Sequence, residues 1–532
     1  MMDPPSASAA EARQHLGAGD PESASHALAE PYSPQLRTAL VLTGTGTAGA
    51  YHAGVLRALH EAGVKIDIVA GHGIGVVGAL FAACDGAQRL WDEKGFWSSP
   101  AIRNLYPWRT MLRIFAWAVA LSIAIVAIPI GAIALGLVVY PIDFLLKMMG
   151  LGGAGNLIGA YSRFTQTAFA AEALPTWLPR LVVLVLGLVG VMAFVSGSAS
   201  RDIRRHRGPW WWRILRPPLS SAQAAHYCWS VMWDLLRGAA QLKEPTPIEL
   251  GRRFIELVGE NLGQPGFREL VLAVHDLDAH RDLIFTLVPE SRRRDLYRRA
   301  AGRSDRLRQD YGGPPKLYAE AEDRPLQSTA GHALHGGPGT TLAEAEERRA
   351  EVFDLSGVAR DYLPDIVAGA LAIPVASEPG AVRFAADAFW RGETHRVCDR
   401  PASVARVIEE VTQLGAGQVL LVSAAPEAHG PHALSPPRLD GRGRFGQYLQ
   451  SAEAAAVRDA TRAAVRRSVR IFPIRPAHNP IGPFDFAGAF DDRSDRVQQL
   501  EELMARGYED AYRQFIEPIV GASGERVGQI ES

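Results

Sequence analysis

Two glycine-rich turns, each lying between an apolar run and a helical pattern, constrain the fold of this chain more than any other feature. The first apolar run ends at Leu42 and leads into a turn at residues 44–49. The second runs from Ile66 to Ala70 and leads into a turn at residues 71–75. A buried strand, a tight turn and a helix, repeated along the chain, indicate parallel strands in an α/β sheet. We therefore predict an α/β core with a mostly parallel sheet.

Later segments extend this core. They comprise a helix from Pro247 to Leu262, strands from Leu270 to Val274 and from Leu283 to Val288, a helix from Val404 to Leu414, and a strand from Val419 to Ser423. The tail from Gln447 onward is predicted to be mostly helical, with a proline-rich break at residues 474–483. We expect the polar stretch from Arg475 to Phe486 to pack over the core, with gating of a pocket as the alternative.

Two long apolar segments without charged side chains are unlike the rest of the chain, which has the mixed polarity of a soluble protein. The first runs from Ile114 to Ile142 and the second from Leu181 to Ser200. Each approaches or exceeds the ~20 apolar residues that a helix needs to cross a bilayer. We predict that they form a transmembrane helical hairpin that interrupts the α/β core. A pair of buried core helices is the alternative.

Basic residues flank the outer ends of this predicted hairpin. They are Arg103, Arg109 and Arg113 before it and Arg201, Arg204, Arg205, Arg207, Arg213 and Arg216 after it, whereas Lys147, Arg163 and Arg180 lie between the spans. The positive-inside rule then places both outer ends in the cytoplasm. The tryptophans at positions 108 and 210–212 fit an interfacial belt. We expect a membrane protein with two spans, a mostly cytoplasmic mass and membrane lipid as its partner.

The composition excludes several functional classes of protein. Lys and Arg number 56 and Asp and Glu 57, so the chain lacks the basic excess of a general nucleic-acid binder. Three scattered cysteines fit neither a disulfide framework nor a zinc site, and we expect no metal and no cofactor. The first residues are rich in Ala, Ser, Pro and Glu and are predicted to be disordered.

The first glycine-rich turn consists of Gly44, Thr45, Gly46, Thr47, Ala48 and Gly49. Backbone N–H groups in such a loop, at a helix N-terminus, can bind an anion or a developing oxyanion. Its glycines also match the spacing Gly-x-Gly-x-x-Gly of dinucleotide sites. The nearby acidic residue, Asp67, lies before the core of the second strand rather than after it, which disfavours that alternative.

The second turn consists of Gly71, His72, Gly73, Ile74 and Gly75. It has the spacing of a nucleophile elbow, Gly-x-Ser-x-Gly, with glycine at the central position. Together, the two turns resemble those of the patatin-like phospholipase family. The resemblance implies a three-layer α/β/α core in which a Ser–Asp dyad hydrolyses lipid esters and the glycine loop stabilises the oxyanion.

The sequence departs from this family at several positions. Gly73 stands at the serine position, Thr45 at the middle glycine of the loop and Ala48 at the loop's basic residue. The position of the family's aspartate stays open among three residues. Alignment on Gly392 gives Arg391, counting back from Pro401 gives Glu393, and Asp387 is nearby in sequence.

We therefore expect a membrane-anchored, catalytically impaired patatin-like protein that binds lipid or acts as a scaffold at the cytoplasmic membrane face. One alternative is an active lipid acyl hydrolase with a non-standard nucleophile. Another is a structural membrane protein whose hairpin packs with a protein partner.

The predicted organisation has seven parts. They are a disordered tail (1–35), the first part of the core (36–100), the transmembrane hairpin and its flanks (101–216, with spans at about 114–142 and 181–200), the core continuation (217–288), a charged linker (289–349), the last part of the core (350–430) and a helical C-terminal extension (431–532).

Overall fold

The computed structural model describes residues 32–150, 155–170, 174–198, 217–240, 243–293, 348, 350–427, 440–466 and 469–521. The predicted disordered tail up to residue 31, most of the predicted linker and the Arg- and Trp-rich stretch at residues 199–216 lie outside this part of the chain. The structure divides into two compact units. The smaller comprises Leu105–Ala224 and Pro374–Glu378, and the larger comprises the rest.

The described strands and helices, in chain order, are as follows. The strands are β1 (Thr38–Thr43), β2 (Ile68–His72), β3 (Glu269–Asp276), β4 (Arg281–Leu287), β5 (Val352–Asp354), β6 (Gly380–Arg383), β7 (Thr394–Cys398), β8 (Gln418–Ser423), β9 (Arg470–Ile474), β10 (Ala489–Asp491) and β11 (Arg496–Gln498). The α-helices are α1 (Ala48–Glu61), α2 (Gly75–Ala83), α3 (Thr110–Met148), α4 (Gly155–Ala168), α5 (Leu174–Ser198), α6 (Ala222–Leu236), α7 (Pro247–Asn261), α8 (Leu363–Ala370), α9 (Ser403–Gln413), α10 (Gly441–Arg466) and α11 (Leu500–Ala511), and a π-helical turn follows α11 (Tyr512–Gly521). Short 3-10 helices lie at Ala87–Leu90, Pro100–Asn104 and Val358–Tyr362.

The larger unit is built on a nine-stranded sheet with the order β5-β4-β3-β2-β1-β8-β9, to which β7 and then β6 attach beside β3. The pairs β1/β2, β1/β8, β2/β3, β4/β5 and β8/β9 are parallel, whereas β3/β4, β3/β7 and β6/β7 are antiparallel. The predicted α/β fold with a mostly parallel sheet is confirmed.

Helices cover both faces of this sheet. Val41 of β1 belongs to a buried cluster with Val407 of α9 and Val457 of α10. Its neighbour Leu42 points the other way, towards Gly78 of α2. Because successive side chains of a strand alternate between faces, the sheet is the middle of three layers. Strands β1, β2 and β8 are buried throughout, as a parallel sheet covered on both faces requires.

The register brings three strand ends to one level. Thr43, the last residue of β1, pairs with Ser423 at the end of β8. One residue earlier, Leu42 pairs with Gly71 of β2, and both glycine-rich turns begin just beyond this edge. Ligand sites of α/β sheets lie at the carboxyl ends of the strands. The sheet therefore positions both turns where a site is expected.

The smaller unit contains the long helices α3, α4 and α5. Of the described residues, only Ile130–Met148 forms a helical stretch long and apolar enough to cross a membrane, and the apolar sections Leu112–Ala124 and Pro179–Val191 are shorter. The predicted transmembrane hairpin, with spans at 114–142 and 181–200, is therefore not found within the described residues. The second predicted span runs to residue 200, and residues 199–200 lie outside the described part of the chain.

The C-terminal extension contains the predicted helices and additional strands. Helices α10 and α11 confirm its helical character. Strand β9 was not predicted, and it pairs with β8 and extends the central sheet. The extension therefore contributes to the core of the larger unit.

We predict that alanine at Gly54 or Gly507 destabilises the chain where α1 crosses α11. A Cβ on Gly54 would lie 1.8 Å from the Met504 backbone oxygen, and one on Gly507 would lie 2.2 Å from that of Tyr51. We expect each variant to lose about 1–3 kcal/mol of unfolding free energy through overpacking. Gly259→Ala is the matched control, since this exposed helical glycine has only Leu287 Cδ1 nearby, at 3.8 Å. Denaturant unfolding should show the control to be neutral or stabilised by up to about 1 kcal/mol, and equal effects at all three sites would contradict the prediction.

Candidate active site

The second glycine-rich turn has the backbone of a nucleophile elbow. Gly73 follows β2 with φ +57°, a left-handed conformation that glycine adopts without strain and that the elbow imposes on a serine. A Cβ on Gly71 would lie 2.5 Å from the Gly75 backbone oxygen, and one on Gly75 would lie 2.1 Å from that of Leu42. Only glycine fits at both flanking positions, so α2 can start directly against β1.

A carboxylate faces Gly73 at the centre of this turn. A Cβ on Gly73 would lie 2.7 Å from Asp399 Oδ2 and 2.3 Å from the Gly44 backbone oxygen. Asp399 immediately follows β7 and is only 2% exposed. Asp399 is not one of the three acid positions predicted from the sequence. Its place directly after a short strand, and so at a strand end, is the signal that could have identified it.

The three acid candidates of the sequence analysis lie in other surroundings. Asp387 and Arg391 line a groove of about 730 Å³ together with Phe353, Tyr362 and Phe389. The side chain of Glu393 is 65% exposed and lies 3.1 Å from His395 Nε2 through its Oε2 atom. None of the three is among the nearest neighbours of a Cβ at Gly73.

Both oxygens of Asp399 are bonded to protein groups. The Thr45 hydroxyl donates to Oδ2 at 2.8 Å, and His72 Nδ1 lies 3.0 Å from Oδ1. The other ring nitrogen of His72, Nε2, lies 2.7 Å from the Thr43 hydroxyl. With the proton on Nδ1, the ring donates to Asp399 and accepts from Thr43, which satisfies all three groups. Thr45 therefore makes the hydrogen bond that a serine at Gly73 would make.

The hydrogen-bond donors of Thr47 in the glycine loop are also bonded to groups of this chain. Thr47 donates its backbone N–H to the Pro483 carbonyl oxygen at 3.1 Å and its hydroxyl to that of Gly482 at 2.8 Å. A Cβ on Gly46 would lie 1.9 Å from the same Pro483 oxygen. Ala48, at the position of the family's basic residue, is buried. The loop therefore directs a donor to a carbonyl oxygen of this same chain.

A second buried carboxyl group lies beside the loop. Glu453 of α10 is 5% exposed and accepts a 2.5 Å hydrogen bond from the Ser423 hydroxyl. Burial raises the pKa of Glu453 to about 7, and the negative charge of Asp399 adds to this effect, whereas the Ser423 hydrogen bond and His72 act in the opposite direction. The carboxyl oxygens lie 3.1 and 3.2 Å from a Cβ position on Gly44.

A second histidine, His52, is hydrogen-bonded to the backbone just before the loop. His52 of α1 is buried, and its Nε2 atom lies 2.9 Å from the Thr43 backbone oxygen. Burial lowers the pKa of His52 to about 4, and the neighbouring His72 contributes in the same direction. His52 is therefore neutral at pH 7 and serves as a hydrogen-bond donor to the backbone.

These parts are arranged as in a known class of site. An elbow at the end of a strand, a facing carboxylate and a glycine loop at a helix start are also found in serine hydrolases with an α/β sheet, which have a serine where this chain has Gly73. The family model for patatin-like phospholipases matches residues 40–177. Patatin-like phospholipase domain-containing protein 6 is 44% identical over 70 residues in both Homo sapiens and Mus musculus. Residues 40–177 are thus similar to patatin-like phospholipases.

The relatives match only a short segment. The 70 residues are 13% of this chain and 5% of the human and mouse proteins. A patatin-like phospholipase domain-containing protein of Caenorhabditis elegans is 57% identical over 44 residues, which are 8% of this chain and 3% of that protein. The crystal structure of VipD from Legionella pneumophila aligns with 92% of this chain and 67% of its own, at a TM-score of 0.29 and 12% identity, which is a remote similarity.

We predict that Glu453→Gln removes a pH dependence of stability. The folded chain holds the Glu453 proton up to about pH 7, whereas an unfolded chain releases it near the ordinary value of 4.5. The unfolding free energy should therefore fall as pH rises between these values, by roughly 3 kcal/mol at about 1.4 kcal/mol per pKa unit. Denaturant unfolding at pH 4.5 and pH 8 should show Glu453→Gln gaining relative to the parent only at pH 8.

The control for this prediction is Glu260→Gln, because Glu260 is an exposed carboxylate on α7. It should follow the parent at both pH values. Parallel pH profiles for the parent and Glu453→Gln would show that the buried carboxyl group does not titrate in this range.

Proposed function

We propose that this chain is a patatin-like protein that has lost the family's serine-dependent ester hydrolysis and that acts at a membrane, where it binds lipid or serves as a scaffold. The observation that carries the first part is the set of bonds around Gly73. No side chain stands at the nucleophile position, and the aspartate that would activate one is bonded to Thr45 and His72. Loss of a nucleophile typically lowers turnover on the order of a million-fold.

The arrangement also lacks free accompanying groups. The Thr47 N–H is bonded to Pro483, so a developing oxyanion would have to displace that carbonyl first. Ala48 offers no positive charge. The whole turn from residue 71 to 75 and the loop from residue 44 to 49 are buried, which supports a role for these residues in holding the fold.

A second candidate function is hydrolysis with a non-standard nucleophile. The specific observation in its favour is the 2.8 Å hydrogen bond between the Thr45 hydroxyl and Asp399, which has the form of a hydroxyl–carboxylate dyad. Covalent labelling with a fluorophosphonate, followed by peptide mapping, separates the two. An adduct on Thr45 that disappears in Asp399→Asn would favour this candidate, whereas absence of labelling favours the first.

The membrane part of the proposal rests on the smaller unit. The stretch Ile130–Met148 is long and apolar enough to span a bilayer. Its outward side chains are strongly exposed, including Ile133 at 65%, Leu137 at 74% and Met148 at 75%. Exposed apolar surface on this scale favours contact with lipid or with a protein partner. Because β2 before this stretch and β3 after it pair in one sheet, a chain that spans the bilayer must return to the same side, and the basic flanks of the sequence favour the cytoplasmic side.

We predict that Gly73→Ser does not restore esterase activity. A Cβ at this position meets the Gly44 oxygen and Asp399, and the new hydroxyl must compete with Thr45. Gly73→Ala carries the same Cβ without a hydroxyl and is the matched control. Short-chain ester hydrolysis by Gly73→Ser should stay within about tenfold of Gly73→Ala, far below the million-fold effect of an effective nucleophile.

A further control separates the cost of a left-handed backbone from the cost of the contacts around Gly73. Gly63→Ala has a similar φ of +64° with nothing within 4 Å of its Cβ. It should lose only the roughly 1–2 kcal/mol of left-handed strain, whereas both Gly73 variants should lose more. Robust turnover in Gly73→Ser that vanishes on adding Asp399→Asn would show that the remaining site is competent.

We predict that Ile133→Arg combined with Leu137→Arg releases the chain from membranes. An arginine costs about 2.5–3.5 kcal/mol at the centre of a span and less towards its ends, and the two side chains lie one helical turn apart. The exposed apolar residues Val465 and Val497 of the larger unit, changed to arginine together, form the control. After a carbonate wash of membranes, most of the Ile133→Arg/Leu137→Arg variant should be in the soluble fraction. The control variant should remain in the membrane fraction, as the parent does. Equal retention of the parent and both variants in the membrane fraction would exclude this anchor.

A further inference from the structure

Residues 479–486, which we name the C-terminal arm, lie against the glycine loop and are not explained by the loss of the nucleophile. The arm follows β9 and contains two prolines, at positions 480 and 483. Its two hydrogen bonds with Thr47 of the loop are made by backbone oxygens. Pro483 accepts from the Thr47 N–H and Gly482 from the Thr47 hydroxyl.

The arm can pack against the loop only because the loop has a glycine, Gly46, at the point of contact. Gly46 has φ +59°, and a Cβ there would lie 1.9 Å from the Pro483 oxygen and 2.9 Å from its carbonyl carbon. Backbone atoms cannot move out of the way as a flexible side chain can. The arm therefore fits directly against the backbone of the loop.

A small set of side chains fixes the arm in this position. Asn479, which is 9% exposed, donates to the Ala424 oxygen just beyond β8 at 3.0 Å and accepts from the Ile481 N–H at 3.0 Å. Gln450 of α10 donates to the Ile481 oxygen at 3.1 Å. Further along the arm, the Gly482 N–H donates to Asp485 Oδ2 at 3.0 Å. The arm is further held by Arg442, which binds Asp485, and by the burial of Ile481, Phe484 and Phe486. None of these contacts is a strand pairing of the central sheet, so release of the arm is a local opening.

The group of the arm that binds the loop, the Pro483 carbonyl, indicates which kind of ligand could take its place. A neutral carbonyl oxygen accepts from a backbone N–H at the start of α1, where the helix dipole favours electron-rich oxygen. An ester carbonyl of an acyl lipid offers the same acceptor. The loop is thus suited to an acyl carbonyl, and the chain supplies one of its own carbonyls in that place.

We propose that the C-terminal arm is a releasable strap over the glycine loop, and that the Pro483 carbonyl and an acyl-ester carbonyl compete for the Thr47 N–H. The choice of an acyl lipid as the competitor rests on the proposed function. When the arm leaves, Gly46 and the Thr47 N–H become accessible. Binding by the loop then requires no nucleophile and breaks no covalent bond.

Amide hydrogen exchange tests the strap at single-residue resolution. The Thr47 N–H reports the arm, whereas the Ala50 N–H, bonded to the Thr47 oxygen at 3.0 Å, reports the loop and helix start. Asn479→Ala removes the bonds to Ala424 and Ile481. We expect roughly tenfold faster exchange at Thr47, the effect of losing one to two hydrogen bonds, with Ala50 unchanged. The control is Asn261→Ala, which loses one local bond at the exposed end of α7.

A second variant opens the strap from the loop side. Gly46→Ala should expel Pro483 and accelerate Thr47 exchange even more, and Gly63→Ala, with its comparable φ and empty surroundings, is its control. Unchanged Thr47 exchange in both Asn479→Ala and Gly46→Ala would overturn the proposal. Equal acceleration at Thr47 and Ala50 would also overturn it, because the loop itself would then be unfolding.

The competing ligand is tested with monomeric dihexanoylphosphatidylcholine. It should slow Thr47 exchange again in Asn479→Ala, whereas glycerophosphocholine, which has the same head group without acyl carbonyls, should not. No slowing with the acyl probe, or equal slowing with both probes, would overturn acyl recognition. Release of hexanoate in the same sample would instead contradict the proposed loss of hydrolysis, and it would leave the exchange result at Thr47 intact.

Discussion

The position of Asp399 between Thr45 and His72 is the interaction on which the arrangement of the sheet edge depends. It joins the end of β7 to the end of β2 and to the glycine loop after β1, and His72 continues the chain of bonds to Thr43. All these groups are nearly fully buried. A buried carboxylate is tolerated only when its oxygens are hydrogen-bonded. Removal of any partner would leave a charged or polar group unsatisfied in the interior.

The sequence pattern predicts the local architecture well because each turn has a specific steric requirement. The strands and helices around the turns at residues 44–49 and 71–75 follow from apolar runs ending in glycines that allow close approach. Strand β9 was missed because a five-residue strand in a mostly helical tail has little periodic signal. The second span is not shown, since the apolar section described there is Pro179–Val191 and the predicted span ends beyond the described residues.

The acid of the site could not be chosen from sequence because its identity depends on tertiary register. Arg391 and Glu393 were selected by counting from a glycine and a proline. The chain folds differently there: Arg391 takes φ +43° before Gly392, and β7 then carries the chain to Asp399 at the edge of the sheet. Only the pairing of β7 with β3 fixes which residue reaches the elbow. Counting along a loop cannot provide that information.

The glycine at the elbow and the threonine in the loop are linked through Asp399. A serine at Gly73 would place its Cβ 2.7 Å from Asp399 Oδ2, the oxygen that now accepts from Thr45. Without a hydroxyl at Gly73, this oxygen would lack a donor unless the loop supplied one, and Thr45 supplies it. Once Thr45 and His72 satisfy the carboxylate, a new side chain at Gly73 meets an occupied partner and the Gly44 oxygen. The hydrogen bonds that stabilise this core are therefore the same bonds that would oppose a nucleophilic side chain at position 73.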